Sequence, residues 1–291
     1  MTIETPIRVL LPYISYELEH LSDNLSEAIK NLTSNGENKI CLKLNSASEP
    51  IDTPRVNKYS QVTIGESFLC YVWAMCYYGS VYWDEAIVPE QEIAPEKIKS
   101  HDFTLANDAL SLRDWAKSLY YGYVEWPQEY PNPMKESNKY IMPVCEYFIF
   151  ATSFIIEHEI AHVHLKHFEG KKSIEKEIEA DNQAIIWHLG GKEGKTFNSK
   201  MGVLLGLCSM LSLDFQAEKC SEFHPSVFSR IQKYINSLDD DNKEKYYRVF
   251  ALFIWDWDKQ FNKNNDFDLN TTNAKDYVNG ILEQMGLSTF K

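Results

Sequence analysis

The run Pro143 to Gly170 reads PVCEYFIFATSFIIEHEIAHVHLKHFEG. Phe148, Ala151, Ile155, His158, His162 and Leu165 recur at spacings of 3, 4, 3, 4 and 3. That period lays them along one continuous face of an α-helix. Pro143 suits a first helical turn, and Gly170 suits a stop, so the pattern predicts a helix from Pro143 to about Phe168. The face ends in His158-Glu159-Ile160-Ala161-His162. Two imidazoles at i and i+4 sit one turn apart and can share one Zn²⁺ at about 2.0–2.1 Å each. Glu159 lies beside the first of them, where it can hold a water and take its proton.

A catalytic zinc needs a third protein ligand and one open position. The next helical pattern, Ser173 to Leu189, carries Glu177 and Asp181 at i and i+4. Glu177 can ligate the metal. Asp181 can accept the Nδ1–H of a ligand histidine and fix its tautomer. Glu179 lies about 200° round the helix from Glu177 and is expected to point away. Further on, Pro225 is expected to open a helix and leave His224 at its mouth, facing a cleft, where it could donate to a developing oxyanion. A tyrosine not identifiable from sequence could do the same. Arg230 is placed to pair with a buried carboxylate, with Asp181 the candidate.

Outward from this core the chain is read as mainly α with a small N-terminal β element, an α+β class with a zincin-like active-site helix pair. Strands are expected at Ile7 to Leu11, Ile40 to Leu44 and Tyr59 to Ile64, with a helix from Ser15 to Leu32 ended by Ser34-Asn35-Gly36. Other helices are expected at Glu66 to Trp83, Ala106 to Tyr121, Asn198 to Leu213, Pro225 to Leu238, Asn242 to Phe261 and Ala274 to Met285. The Pro-rich segment Glu125 to Ser137 must be a loop, whose Trp126 and Tyr130 either pack it down or line a cleft. No linker stands out, so residues 1–291 are expected to form one domain: an N-terminal α/β element (1–65), a catalytic core (143–231) and C-terminal helices (240–291).

Composition excludes some functions. The formal net charge is −13, with no basic stripe to displace counterions, which argues against direct nucleic-acid binding and against anionic membranes. None of the six cysteines forms a C-x-x-C pair. The N-terminus has an early acid and no basic run, so a reducing cytoplasm is expected. Tyr140 to Ile156 and Met201 to Leu213 are apolar, but too interrupted or too short for the roughly 20 residues of a membrane span.

Together the His158–His162 helix, Glu177-Ile178-Glu179-Ala180-Asp181 and His224-Pro225…Arg230-Ile231 resemble the gluzincin metallopeptidases. The same order occurs in the integral-membrane CAAX-processing and HtpX-like families, whose spanning helices this chain lacks. His158 to His167 with Glu177 to Ala184 look more like the phage-exclusion (Lit-type) peptidase family. That resemblance implies Zn²⁺ held by His158, His162 and Glu177, and Glu159 as the acid–base group. It also implies elongation factor Tu as protein substrate and a phage peptide as activator. The metzincin pattern fails, because Leu165 and Phe168 stand where it needs Gly and His. His167 falls about 140° from His162 on a continued helix, so His164 and His167 are both expected on the outer side. The alternatives are a regulatory metallopeptidase cleaving a repressor or toxin partner, and a helical interaction protein with a structural metal site.

Overall fold

The computed structural model describes residues 5–20, 23, 25–27, 41–45, 50–57, 61–87, 107–135, 138–169, 171–191, 195–239, 241–263, 265 and 273–287. The part of the Ser15–Leu32 helix beyond Glu27, its Ser34-Asn35-Gly36 stop, and Gly170 lie outside them.

The first element is a 3₁₀ turn, Pro6–Leu10, running into α1, Leu11–His20. The strand expected at Ile7 to Leu11 is therefore a helical segment. The reason is visible in Ile7, Leu10, Ile14 and Leu18, all buried, whose spacing of 3, 4 and 4 is helical. Arg8 clamps this segment to the body of the fold. Its Nε and one terminal nitrogen donate to the two oxygens of buried Glu66 at 2.9 and 3.0 Å.

Strands β1 (Cys41–Asn45), β2 (Arg55–Val56) and β3 (Gln61–Gly65) form a sheet in the order β1-β3-β2. β1 runs parallel to β3, with Cys41 opposite Gln61. β2 runs antiparallel to it, with Val56 opposite Val62. β3 is thus the middle strand, and β2 forms one edge.

α2 (Glu66–Tyr82) is buried on nearly every side, as an all-round apolar helix should be. α3 (Asn107–Ser118) packs on it. Trp126, from the Pro-rich loop, is buried against Trp115 and Trp73, with ring centroids 4.6 and 5.5 Å away. Loop packing is its role.

The long helix α4 spans Ile141–His164. It starts two residues before Pro143 and stops four before Phe168. It is long and apolar enough to cross a bilayer, yet most of its apolar window is buried within the fold. It packs most extensively against α6 (Phe197–Ser209) and α5 (Ile174–Gly190). Gly202 and Gly206 allow the close approach of α6. A Cβ at Gly202 would lie 2.6 Å from the Tyr147 carbonyl oxygen, and one at Gly206 2.9 Å from Ala151 Cβ. A buried polar chain ties the three helices. His188 of α5 lies 3.1 Å from Glu157 of α4 and 2.8 Å from Ser199 of α6. All three are fully shielded from solvent, so this Glu–His–Ser array is a structural tie and not a nucleophilic triad.

The 3₁₀ turn Met210–Leu213 follows, then α7 (Val227–Ser237), α8 (Lys243–Gln260) and α9 (Ala274–Gln284). Pro225 does not open α7. Ser226 caps it by accepting the Ser229 N–H at 3.1 Å, which satisfies one of the unpaired donors of the first turn.

Candidate metal centre

Two helices build the centre. α4 presents His158 and His162 one turn apart, and α5 presents Glu177 and Asp181 one turn apart, on facing sides. Ser173 starts α5 by capping the Lys176 N–H, which sets Glu177 in its first turn. His158 Nε2 lies 3.1 Å from His162 Nε2 and 3.4 Å from Glu177 Oε2, and His162 Nε2 lies 3.5 Å from Glu177 Oε1. One ligand atom from each residue meets the others within 4.8 Å. Three ligand atoms bonded at ~2.0–2.1 Å in a tetrahedron stand ~3.3–3.4 Å apart. Each imidazole nitrogen has a different Glu177 oxygen near that spacing, and the donors, two imidazoles and a carboxylate, suit Zn²⁺ chemically.

The surroundings hold these donors in place. His158 Nδ1 is 2.9 Å from Asp181 Oδ1. Arg230 of α7 grips the same carboxylate with both arms of its fork, Nε to Oδ2 at 2.9 Å and a terminal nitrogen to Oδ1 at 2.7 Å. Burial pushes the Asp181 carboxyl up, but the Arg230 guanidinium and His158 hold it well below the usual range. Burial also opposes ionisation of Glu177, yet contacts with His158, His162 and His224 hold its carboxyl far down. Burial alone would lower the His158 pKa, but the two carboxylates raise it to about 9. A cation that takes His158 displaces a proton near neutral pH.

Glu159 stands beside the three donors. Burial raises its pKa and Glu177 adds to that, while the two imidazoles and the Val56 backbone pull the other way. His224 reaches the cluster through Glu177, Nδ1 to Oε2 at 3.3 Å, and is largely exposed, at 59%. Its loop is closed by Ser221, whose N–H donates to the His224 carbonyl at 2.9 Å.

These residues line a cleft of about 740 Å³. Thr53 to Val56 form part of its wall, and Phe154, Ile155, Leu207, Met210, Leu213 and Val227 give it an apolar side. Trp126 and Tyr130 are not among its lining, and no tyrosine among the described residues is. The tyrosine sought as an oxyanion donor is therefore not found there.

Two expectations need correction. His164 is exposed and packs on Trp187, but His167 is buried, only 9% exposed, and not on the outer side. α4 stops at His164. Lys166 takes a left-handed φ of 57°, so its N–H bonds Val163 O at 3.0 Å and the His167 N–H bonds His162 O at 2.9 Å. These are the two bonds of a Schellman motif. The turn folds His167 back behind His162, with the two Nδ1 atoms 2.9 Å apart. His167 Nε2 lies 3.1 Å from Glu179 Oε2. Glu179 points away from Glu177's donors, as its helical angle requires, and meets His167 instead. Reading α4 onward as unbroken helix hid this pair, and no Gly near Leu165-Lys166 signals the turn. The second correction concerns the strand expected at Tyr59 to Ile64, whose described part runs Gln61–Gly65. β3 is paired on both sides and cannot take another strand; β2 is the edge that borders the cleft.

Comparison with known proteins reaches the same region. The Peptidase U49 family model matches residues 62–251. The cell death peptidase of Escherichia coli (strain K12) is 24% identical over 203 residues, covering 65% of this chain and 66% of that protein. The alignment thus spans just under two thirds of the relative's length. No solved structure matches the chain. The family match runs from β3 into α8 and takes in every residue of the centre from His158 to Arg230, so this chain belongs to the Peptidase U49 family.

Proposed function

We propose that the chain is a zinc-dependent endopeptidase of gluzincin type, with His158, His162 and Glu177 as ligands and Glu159 as general base. The observation that carries this reading is the convergence of one donor atom each from His158, His162 and Glu177 to within 4.8 Å, with the half-buried Glu159 carboxylate next to them. The bound ion would act as a Lewis acid on the scissile carbonyl and on water.

The remaining chemistry belongs to the chain. Glu159 is half-buried in the cleft wall and its pKa is raised, which moves a carboxylate toward the range where it can take and return a proton at neutral pH. It accepts the proton of the attacking water and hands it to the leaving amine. His224, solvent-exposed and 3.3 Å from Glu177, lines the same cleft, where it can stabilise the oxyanion. Among the described strands β2 is the edge that borders the cleft, and its Val56 backbone reaches Glu159; an extended peptide that took over this edge by β-addition would lie across the centre.

The finer reading follows the resemblance to phage-exclusion peptidases. The substrate is a cytoplasmic protein, with elongation factor Tu the first candidate and a phage peptide as trigger. The E. coli relative's description as a cell death peptidase is compatible with such a response. A regulatory peptidase cleaving a repressor or toxin partner would share the same centre.

The test pairs a metal assay with a cleavage screen. Purified protein should hold one zinc per chain. In bacterial lysate, new protein N-termini should appear with wild type and fall by about 10²–10⁴-fold with Glu159→Gln, which should keep its zinc. A wild-type protein without zinc would sink the reading, as would cleavage that survives Glu159→Gln.

A further inference from the structure

We propose that His167 and Glu179 form a positioning relay for the metal-ligating histidine His162. The inference rests on the zinc-site reading above and concerns residues that reading leaves without a role.

An imidazole that gives one ring nitrogen to a cation carries its proton on the other, and that N–H needs an acceptor to fix the ring. For His158 the group at that nitrogen is the Asp181 carboxylate, 2.9 Å from Nδ1. Among the described residues, no carboxylate is paired with His162 Nδ1. Its neighbour is His167 Nδ1, 2.9 Å away. Between two imidazole nitrogens at that distance one carries the hydrogen and the other a lone pair. With Nε2 of His162 turned toward His158 and Glu177, the proton sits on His162 Nδ1 and His167 accepts it. His167 then carries its own hydrogen on Nε2, aimed at Glu179 Oε2 at 3.1 Å. Each link has one donor and one acceptor, and the sequence ends on a negative charge. The carboxylate strengthens His167 as an acceptor, and His167 in turn makes His162 a better ligand.

The backbone is arranged to hold this relay. A lysine rather than a glycine occupies the left-handed position 166, at a cost of roughly 1–2 kcal/mol. Such strain persists where the surroundings over-determine it. Here Lys176 of α5 donates to the carbonyls of His167 and Glu169 at 2.8 and 2.6 Å, pinning the returning chain. His167 is buried, while the Glu179 side chain is 62% exposed, so the acidic end of the relay is its most solvent-exposed part.

The experiment measures zinc affinity of the full chain by chelator competition, and the visible absorption of its cobalt(II) form. It compares wild type with His167→Ala, His167→Asn, Glu179→Ala and the double variant His167→Ala/Glu179→Ala. His167→Ala should weaken zinc by about 10–100-fold and change the cobalt spectrum. His167→Asn puts an amide oxygen near the lost Nδ1 and should recover most of the affinity. Glu179→Ala, an exposed change that should not disturb folding, should give a smaller loss. The double variant should be no weaker than His167→Ala, because Glu179 acts through His167. Wild-type affinity and spectrum in both His167→Ala and Glu179→Ala would overturn the relay. So would a His167→Asn protein as weak as His167→Ala, or additive losses in the double variant. If His167→Ala does not fold, His167→Asn and Glu179→Ala decide: near-wild-type binding in the first with a measurable loss in the second supports the relay, and any other pairing overturns it. A wild-type chain that binds neither metal defeats the zinc reading itself, a separable result.

Discussion

His158 Nδ1 stands 2.9 Å from Asp181 Oδ1, and the same carboxylate is held in a two-armed grip by Arg230. One buried carboxylate thus touches both a candidate metal ligand and the α5–α7 contact, and the two roles can be separated. Asp181→Ala should lower zinc affinity about 10–100-fold. It should also lower the metal-free stability by about 2–3 kcal/mol, because the largely buried Arg230 is left without its partner. Adding Arg230→Met should restore the stability and leave the affinity low. Urea unfolding and chelator competition read the two separately; a double variant that regains both would contradict this division.

The same residue sets an acid limit. Burial raises the Asp181 pKa, but Arg230 and His158 override it and hold it below its ordinary value. A depressed carboxyl contributes stability that is fully present above its unfolded pKa near ~3.9 and is lost as pH falls through the folded value. The metal-free wild type should therefore lose stability progressively below about pH 4. Asp181→Asn should show a flatter profile over that range. Thermal melts in chelator between pH 3 and 7, ~4 being the expected break, check this, and parallel profiles would count against it.

Lys166 offers a test of the helix end. Glycine pays no steric cost at a φ of 57°, so Lys166→Gly should match or exceed wild-type stability, its gain partly offset by a freer unfolded chain. A β-branched residue is badly placed there, and Lys166→Val should cost about 1–2 kcal/mol. Urea midpoints giving the reverse order would mean that the turn is not built as described.

The Glu157–His188–Ser199 array yields a stability effect without a catalytic one. Ser199→Ala leaves His188 Nε2 without its partner in a fully enclosed site, at a cost of about 1–3 kcal/mol. Hydrolysis per folded molecule should not change, and serine-directed reagents should not label the wild type. Labelling of Ser199 would show that this network opens to solvent.

Much of the centre was legible in the sequence because its spacing is local. Residues i and i+4 on a helix share a face whatever surrounds them, so His158 with His162, and Glu177 with Asp181, follow from the order of residues alone. The periodicity of 143–165 likewise implied one long helix, and the alternation near Cys41 and Val62 implied strands. Where the local signal was equivocal the reading slipped. Ile7 to Leu11 is apolar enough for a strand, and only its packing with Ile14 and Leu18 makes the helical spacing decisive.

Tertiary structure decided the rest. It placed α5 against α4, so that a carboxylate 15 residues along the chain from His162 completes the donor set. It ended α4 at His164, because contacts from Lys176 hold a left-handed lysine that no local preference favours. That turn brought His167 behind His162 instead of out to solvent. It also made β3 a middle strand and left the two-residue β2 as the edge beside the cleft. The candidate metal ligands follow from the helical period, but the partners that orient them depend on where the helix stops and on what packs over its end.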